Sequence, residues 1–294
     1  LPEGRPPRRA PSLVKGCFRM LSSISDALFG WCQYDFMRNA FFAILLIMPL
    51  FAMLGTLVVN NGMAFFSDAL GHSALTGVGI GVLLGLSEYR LVMVVFAVIF
   101  ALVMNRIRHS RLSSTDTVIG VFSSCGVALG LVILSRGGSF SKYQSLLIGD
   151  ILSISSVELL VLGITLLATG GIWLLCFNQL HAVSISPSLA RSKGIPVKFL
   201  DNLFVVLIAV IVMLAIQWVG LLIINAMLIL PAAASRNVAR SMRSYHLLAL
   251  IFGLFSGLLG LLFSYHNAVA AGPTVVLIAA ALYFGTFALR EKEA

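Results

Sequence analysis

Asp68 and His72 stand four residues apart inside an otherwise apolar stretch running from Met63 to Leu86. Residues at i and i+4 share one helical face, so a carboxylate and an imidazole point the same way in a segment long enough to cross a bilayer. Ionisable groups are costly at membrane depth and mark functional positions there. Imidazole plus carboxylate is also a ligand pair that zinc, manganese and iron accept. One Asp and one His are too few for a closed site, so a neighbouring helix or a second copy must supply more; a symmetric dimer would double the pair. The competing reading is an interhelical hydrogen-bonded pair that only holds helices together. The residues alone leave both open.

Three further segments carry polar chemistry. Ser184 to Lys198 contains Ser186 before Pro187, a suitable N-cap and first helical residue, and Gly194 and Pro196, which stop the helix and keep it from resuming. A capped helix of about two turns over 186–196, facing the cytoplasm between two spans, is expected to be a docking element. Val219 to Arg236 places Asn225 at depth and Pro231 late in the segment, where it is expected to break the helical ladder. Tyr265-His266-Asn267 falls at an expected outer end, where His266 is either a metal-receiving residue at the mouth or a solvated loop histidine.

The elements that position these residues follow from composition. The chain has 294 residues, 59% hydrophobic and 11% charged, with a mean hydropathy of +1.02. Its apolar runs are long and continuous, which indicates an all-α polytopic membrane protein rather than a barrel of short alternating strands. Spans are expected at 37–59, 64–86, 90–105, 117–135, 152–177, 199–216, 217–234, 246–264 and 273–290, with a break near Gln217-Trp218-Val219-Gly220. That makes eight or nine transmembrane helices, depending on whether 199–234 is two spans or one followed by a broken or re-entrant helix. Gly77 and Gly81, in a small-xxx-small run continuing to Gly85, let a neighbouring backbone approach the Asp68 helix closely.

The net charge of +9 lies in the short gaps between apolar runs. This is the positive-inside pattern of cytoplasmic loops and not a nucleic-acid surface. Arg106, Arg108 and Arg111, then Arg191, Lys193 and Lys198, then Arg236, Arg240 and Arg243, then Arg290 and Lys292 make every second gap basic. Nine spans fit with the C-terminus inside, and they leave the basic tail of Arg5, Arg8, Arg9, Lys15 and Arg19 on the opposite side. The expected domain plan is a Pro/Arg-rich tail and interfacial amphipathic segment over 1–35, one transmembrane domain over 36–290, and a short cytoplasmic tail over 291–294. Met20 and Met37 are plausible natural starts. Cys17, Cys32, Cys125 and Cys176 form no CxxC pair and give no zinc or disulfide signal. No nucleophile elbow, His-Glu-x-x-His or phosphate loop is present, so a transporter or channel is the expected class and an intramembrane enzyme the minority reading.

Several of these segments together resemble a known family. Ser67-Asp68-Ala69-Leu70-Gly71-His72 running on to Gly77-Val78 matches Gly/Ser-Asp-Ala-x-x-His-x-x-x-x-Gly-Val/Ile of the membrane permeases of zinc/manganese/iron ATP-binding-cassette importers, the metal-type ABC-3 group. Asp116-Thr117-Val118-Ile119-Gly120-Val121 and Leu147-Ile148-Gly149-Asp150-Ile151-Leu152 resemble two more of its motifs, and Ala190-Arg191-Ser192-Lys193-Gly194-Ile195-Pro196 resembles its coupling segment. Val219-Gly220 through Asn225 to Pro231-Ala232-Ala233-Ala234 and Ala271-Gly272-Pro273-Thr274 follow in family order. The resemblance spans Met37 to Phe287 and departs at Asn60-Asn61-Gly62, where the family often has basic residues, and at Ser186 and Ser188, where it usually has acidic ones.

The resemblance implies a type II, vitamin B12/metal importer-like permease fold in a homodimer within the bacterial inner membrane. It implies two cytoplasmic ATP-binding subunits and an extracytoplasmic metal-binding protein as partners. No permanently bound cofactor is implied; the divalent metal is cargo, Zn, Mn or Fe. Asp68 and His72 would be the metal pathway or gate, and Pro187, Ser188, Leu189, Ala190, Gly194 and Pro196 the ATPase-coupling segment. Gly77, Gly81, Gly220, Asn225 and Pro231 would serve helix packing and the helix break. A metal chelate, such as a siderophore or haem, is the alternative cargo.

Overall fold

A computed structural model describes residues 33–86, 89–109, 114–136, 149 and 151–293. The expected tail and interfacial segment up to residue 32, and Asp150 with Leu147 and Ile148, lie outside the described residues. The helices are α1 (Asp35–Asn60), α2 (Phe66–Leu83), α3 (Tyr89–Arg108), α4 (Thr115–Arg136), α5 (Ser156–Ile185), α6 (Pro187–Ser192), α7 (Val197–Val219), α8 (Leu221–Val238), α9 (Met242–Asn267) and α10 (Ala271–Glu293). A single 3-10 turn, Ile151–Ser153, precedes α5. No strand occurs among the described residues, and the chain is an all-helical, multi-pass membrane protein.

Each of the nine expected spans contains one helix. Seven are long and apolar enough to cross a membrane: α1, α3, α4, α5, α7, α9 and α10. The other two, α2 and α8, have 18 residues each, about 27 Å at 1.5 Å per residue. They are also the two helices that carry Asp68, His72 and Asn225. α5 starts later and ends later than expected, at Ser156 and Ile185. A capping box fixes that start: Ser155 Oγ accepts from the Glu158 amide at 3.4 Å and Glu158 Oε2 accepts from the Ser155 amide at 2.9 Å. α10 runs on to Glu293 and takes in three residues of the expected C-terminal tail.

The break in the 199–234 block is at Gly220, whose backbone (φ 80°, ψ 157°) is open to glycine and strained for other residues. α7 ends one residue before it and α8 begins one residue after, so the block is two helices. Gly149 seats against this joint: a Cβ on it would lie 2.2 Å from the Gly220 nitrogen. Pro231, expected to break the ladder, instead lies inside α8, which continues to Val238. Gly253 of α9 faces its ring, with a hypothetical Cβ 3.8 Å from the ring carbons.

α2 is at the centre of the bundle. It packs mainly on α4 and α3, while α8 packs on α10, α9 and α1, and α3 packs on α7. Small residues set these approaches: a Cβ on Gly77 would lie 2.7 Å from the Met93 Cα, and one on Gly81 would lie 2.8 Å from the Tyr89 Cβ. α3 therefore rests directly on the backbone of α2. α5 and α10 lie at the periphery, with large apolar side chains such as Leu167, Leu175, Leu277 and Phe284 exposed.

Candidate functional site

From Phe66 to Gly79, every residue of α2 is buried except Asp68 and His72. The i, i+4 spacing thus opens one polar stripe in an enclosed helix. His72 Nε2 lies 3.5 Å from Asp68 Oδ2, with the two side chains 31% and 38% exposed. The neighbouring hydroxyls are turned back onto the helix: Ser73 Oγ donates to the Leu70 carbonyl at 2.7 Å.

α8 supplies a third polar group. Asn225 Nδ2 donates to Asp68 Oδ1 at 2.6 Å, and its own Oδ1 is buried without a hydrogen-bond partner among the described residues. The local register explains the pairing. Gly71 meets the Leu221 side chain so closely that a Cβ would fall 1.9 Å from Leu221 Cδ1. One turn back on α2 and one turn forward on α8 then bring Asp68 and Asn225 face to face. The sequence reading assigned Asn225 to packing near the break, whereas the structure joins it to the acidic residue. The set now offers a carboxylate oxygen, an imidazole nitrogen and an amide oxygen, donors that suit borderline and harder divalent cations. No three His, Cys, Asp or Glu side chains gather closely enough to hold a metal ion among the described residues.

The expected docking helix is shorter than two full turns beyond its caps. α6 covers Pro187–Ser192, with Ser186 Oγ accepting from the Leu189 amide at 3.3 Å and Pro187 at the first position. Gly194, at φ +75°, lets the chain turn back. The Ile195 amide then donates to the Ala190 carbonyl at 3.1 Å, and Pro196 leads into α7. Ala190 is buried while Leu189, Ser188 and Pro187 face outward, so the helix is anchored through one small side chain and presents the others.

Beside it lies a polar network that the sequence reading did not find. Arg108 Nη2 donates to Asp201 Oδ1 at 3.2 Å, with the side chains only 10% and 14% exposed. Asn105, itself buried, donates to Asp201 Oδ2 at 2.6 Å and to Asn202 Oδ1 at 3.0 Å. In the sequence Arg108 reports only sidedness. The available hint was Asp201, an acid in the second turn of a strongly apolar helix. The network ties the end of α3 to the start of α7, immediately after the α6 segment. His266 is at the far end of α9, exposed, with Nδ1 2.9 Å from the Leu262 carbonyl and its ring edge-on to Tyr265.

Known proteins match this chain along most of its length. Residues 33–290 match the family described as the ABC 3 transport family. The manganese import system permease protein ScaB of Streptococcus gordonii is 29% identical over 273 residues, which is 92% of this chain and 97% of that protein. The high-affinity zinc uptake system membrane protein ZnuB of Haemophilus influenzae is 33% identical over 242 residues, 82% of this chain and 92% of that one. Among solved structures, PsaBC from Streptococcus pneumoniae in complex with Fab superposes with a TM-score of 0.78 at 30% identity, covering 90% of this chain and 95% of that one. An inward-facing metal-chelate type ABC transporter has a TM-score of 0.67 at 15% identity, covering 85% of each chain, a likeness of fold alone.

Proposed function

The chain belongs to the ABC 3 transport family, and from that membership we propose that it is the membrane-spanning permease of an ATP-driven importer moving a divalent transition metal into the bacterial cytoplasm. Relatives named for manganese import and for zinc uptake support manganese or zinc as cargo, with iron accepted by the same donor chemistry. The observation that carries this reading is the stripe on α2: between Phe66 and Gly79 only Asp68 and His72 are open on an otherwise buried helix, backed by Asn225. A second copy facing that opening across a two-fold axis would bring together two carboxylates, two imidazoles and two amide oxygens. His72 and Asn225 each reach Asp68, at 3.5 Å and 2.6 Å, a small set of donors around one carboxylate, which favours a bare ion over a bulky chelate.

In this reading an extracytoplasmic binding protein delivers the ion, and two separate ATP-binding subunits dock on the two copies of α6. The permease hydrolyses nothing. ATP binding would bias an inward/outward equilibrium through differential contacts with α6 in the two states. The test is uptake of radioactive manganese or zinc by cells expressing the complete importer with Asp68→Ala or His72→Ala in this chain. Uptake is expected to be lost while assembly and ATP binding persist. Normal uptake by either variant would sink the site assignment.

A further inference from the structure

The inner end of α5 carries a narrow inward-facing stripe on a helix that is otherwise largely exposed. Trp173, Phe177, His181 and Ser184 fall on it at helical spacing. His181 and Trp173 are 6% and 8% exposed. Three side-chain atoms on this stripe, Trp173 Nε1, His181 Nε2 and Ser184 Oγ, are buried with no hydrogen-bond partner among the described residues. Buried polar atoms that lack protein partners are ordinarily satisfied by an ion or ordered water beside them.

A second imidazole meets this stripe from α9. The rings of His181 and His246 are 4.8 Å apart between centroids. Both histidines place Nδ1 2.8 Å from the carbonyl four residues earlier on their own helix, Phe177 and Met242 respectively. A carbonyl only accepts, so Nδ1 carries the hydrogen in each ring and the neutral imidazole bears its lone pair on Nε2. A backbone carbonyl on Nδ1 is also the partner that orients metal-binding histidines and raises the basicity of the other nitrogen. His246 Nε2 meets the Thr56 hydroxyl of α1 at 2.8 Å, and Thr56 has the Met53 carbonyl at 3.1 Å as an alternative acceptor for its proton.

We propose that His181 and His246 form a second metal site of this chain, separate from Asp68 and His72, that binds a zinc-class divalent ion through their two Nε2 atoms. Ligand bonds of about 2.0–2.1 Å in tetrahedral geometry put the two nitrogens roughly 3.4 Å apart, a separation that rings this close reach by a small movement. Thr56 Oγ1 turns to the Met53 carbonyl and offers a lone pair, and water completes the shell. The metal-bound water accepts from Trp173 Nε1, which donates only and cannot itself be a ligand. Two imidazoles with no carboxylate select zinc over manganese. The site lies five residues before Ser186, the cap of α6, so an ion there stiffens the helix end from which the coupling segment departs. The assignment does not rest on the import reading.

The test uses the full-length purified chain carrying Asp68→Asn and His72→Asn, which removes the other site, dialysed against zinc, against manganese and against cobalt as a spectroscopic probe. About one zinc per chain is expected to remain, with intense visible cobalt bands of nitrogen ligation and no retained manganese. Adding His181→Leu or His246→Leu is expected to weaken zinc retention by at least about tenfold, while Thr56→Val, which keeps both imidazoles, weakens it less. Absence of zinc and of cobalt bands in the Asp68→Asn/His72→Asn chain overturns the proposal and leaves ordered water as the occupant. Zinc retained after both leucine substitutions overturns it equally. The cobalt spectrum is read on a chain with both histidines intact, so a leucine variant that fails to fold does not decide the outcome.

Discussion

Asn225→Leu separates positioning of the proposed metal gate from stability of the fold. Asn225 Nδ2 donates to Asp68 Oδ1 at 2.6 Å, a hydrogen bond to a charged acceptor and thus worth about 1.5–3 kcal/mol. At 1.4 kcal/mol per factor of ten, its loss corresponds to about 10- to 100-fold in any equilibrium that needs the carboxylate held in place. The typical effect of removing a residue that orients a metal ligand covers the same range, about 10- to 100-fold. The Asp68 side chain is 38% exposed, so water takes over part of the lost bond, which puts the expected effect near tenfold. Leucine keeps the branching and the number of side-chain heavy atoms and removes the buried, unpartnered Asn225 Oδ1. The melting temperature is therefore expected to hold or rise while the metal concentration for half-maximal uptake rises about tenfold. The assay is initial uptake of manganese or zinc against concentration in cells expressing the complete importer, with thermal unfolding of the purified variant alongside. Wild-type concentration dependence at unchanged expression would refute the positioning role. A weakened importer with a matching fall in melting temperature would assign the effect to packing instead.

Three further outcomes follow from the geometry. Gly77→Ala puts a Cβ 2.7 Å from the Met93 Cα, a backbone atom that cannot turn aside, so a loss of about 1–3 kcal/mol is expected as a lower melting temperature. Ser186→Ala removes the hydroxyl that accepts from the Leu189 amide at 3.3 Å, about 1 kcal/mol of capping for a helix of only six residues; in a reconstituted importer, metal-stimulated ATP hydrolysis is expected to fall while metal binding to the permease is unchanged. Arg108→Ala leaves the largely enclosed Asp201 with only the Asn105 amide and the His109 ring beside it, expected to destabilise by about 2–3 kcal/mol, whereas Arg108→Met with Asp201→Leu removes both charges and is expected to restore most of the lost thermal stability.

The helices were legible because their signal is local: a span needs only a run of apolar residues, and each expected run holds one helix. The break at Gly220 was legible for the same reason, since glycine beside a polar Gln217 interrupts the pattern at that point. Pro231 misled because its effect depends on what faces it, and Gly253 on another helix leaves room for its ring. The Asp68/His72 pair was visible as an i, i+4 spacing, but its partner was not. Asn225 is 157 residues away, and only the register set by Gly71 against Leu221 brings its amide to the carboxylate.

The same distinction applies to Arg108 and Asp201, which are 93 residues apart. Arg108 stands in a gap between apolar runs, where an arginine ordinarily reports sidedness, yet here it is largely enclosed against an acid at the foot of α7. A charge count along the chain treats all loop arginines alike, whereas burial divides them: Arg108 is paired and enclosed, and Arg191 on α6 is exposed. A paired, enclosed charge keeps two helices in one arrangement, because separating it exposes an uncompensated ion to a weakly polar interior. α3, held at one end to α7 by this pair, rests its first turn, at Tyr89 and Met93, on Gly81 and Gly77 of α2. Any displacement that starts at α6 and moves α7 must therefore either carry α3 with it, and so press on the helix that bears Asp68 and His72, or break the Arg108–Asp201 contact. The charge-free Arg108→Met/Asp201→Leu chain distinguishes these routes: if the pair transmits the displacement, that chain is expected to keep its fold and its metal binding while transport uncouples from ATP hydrolysis.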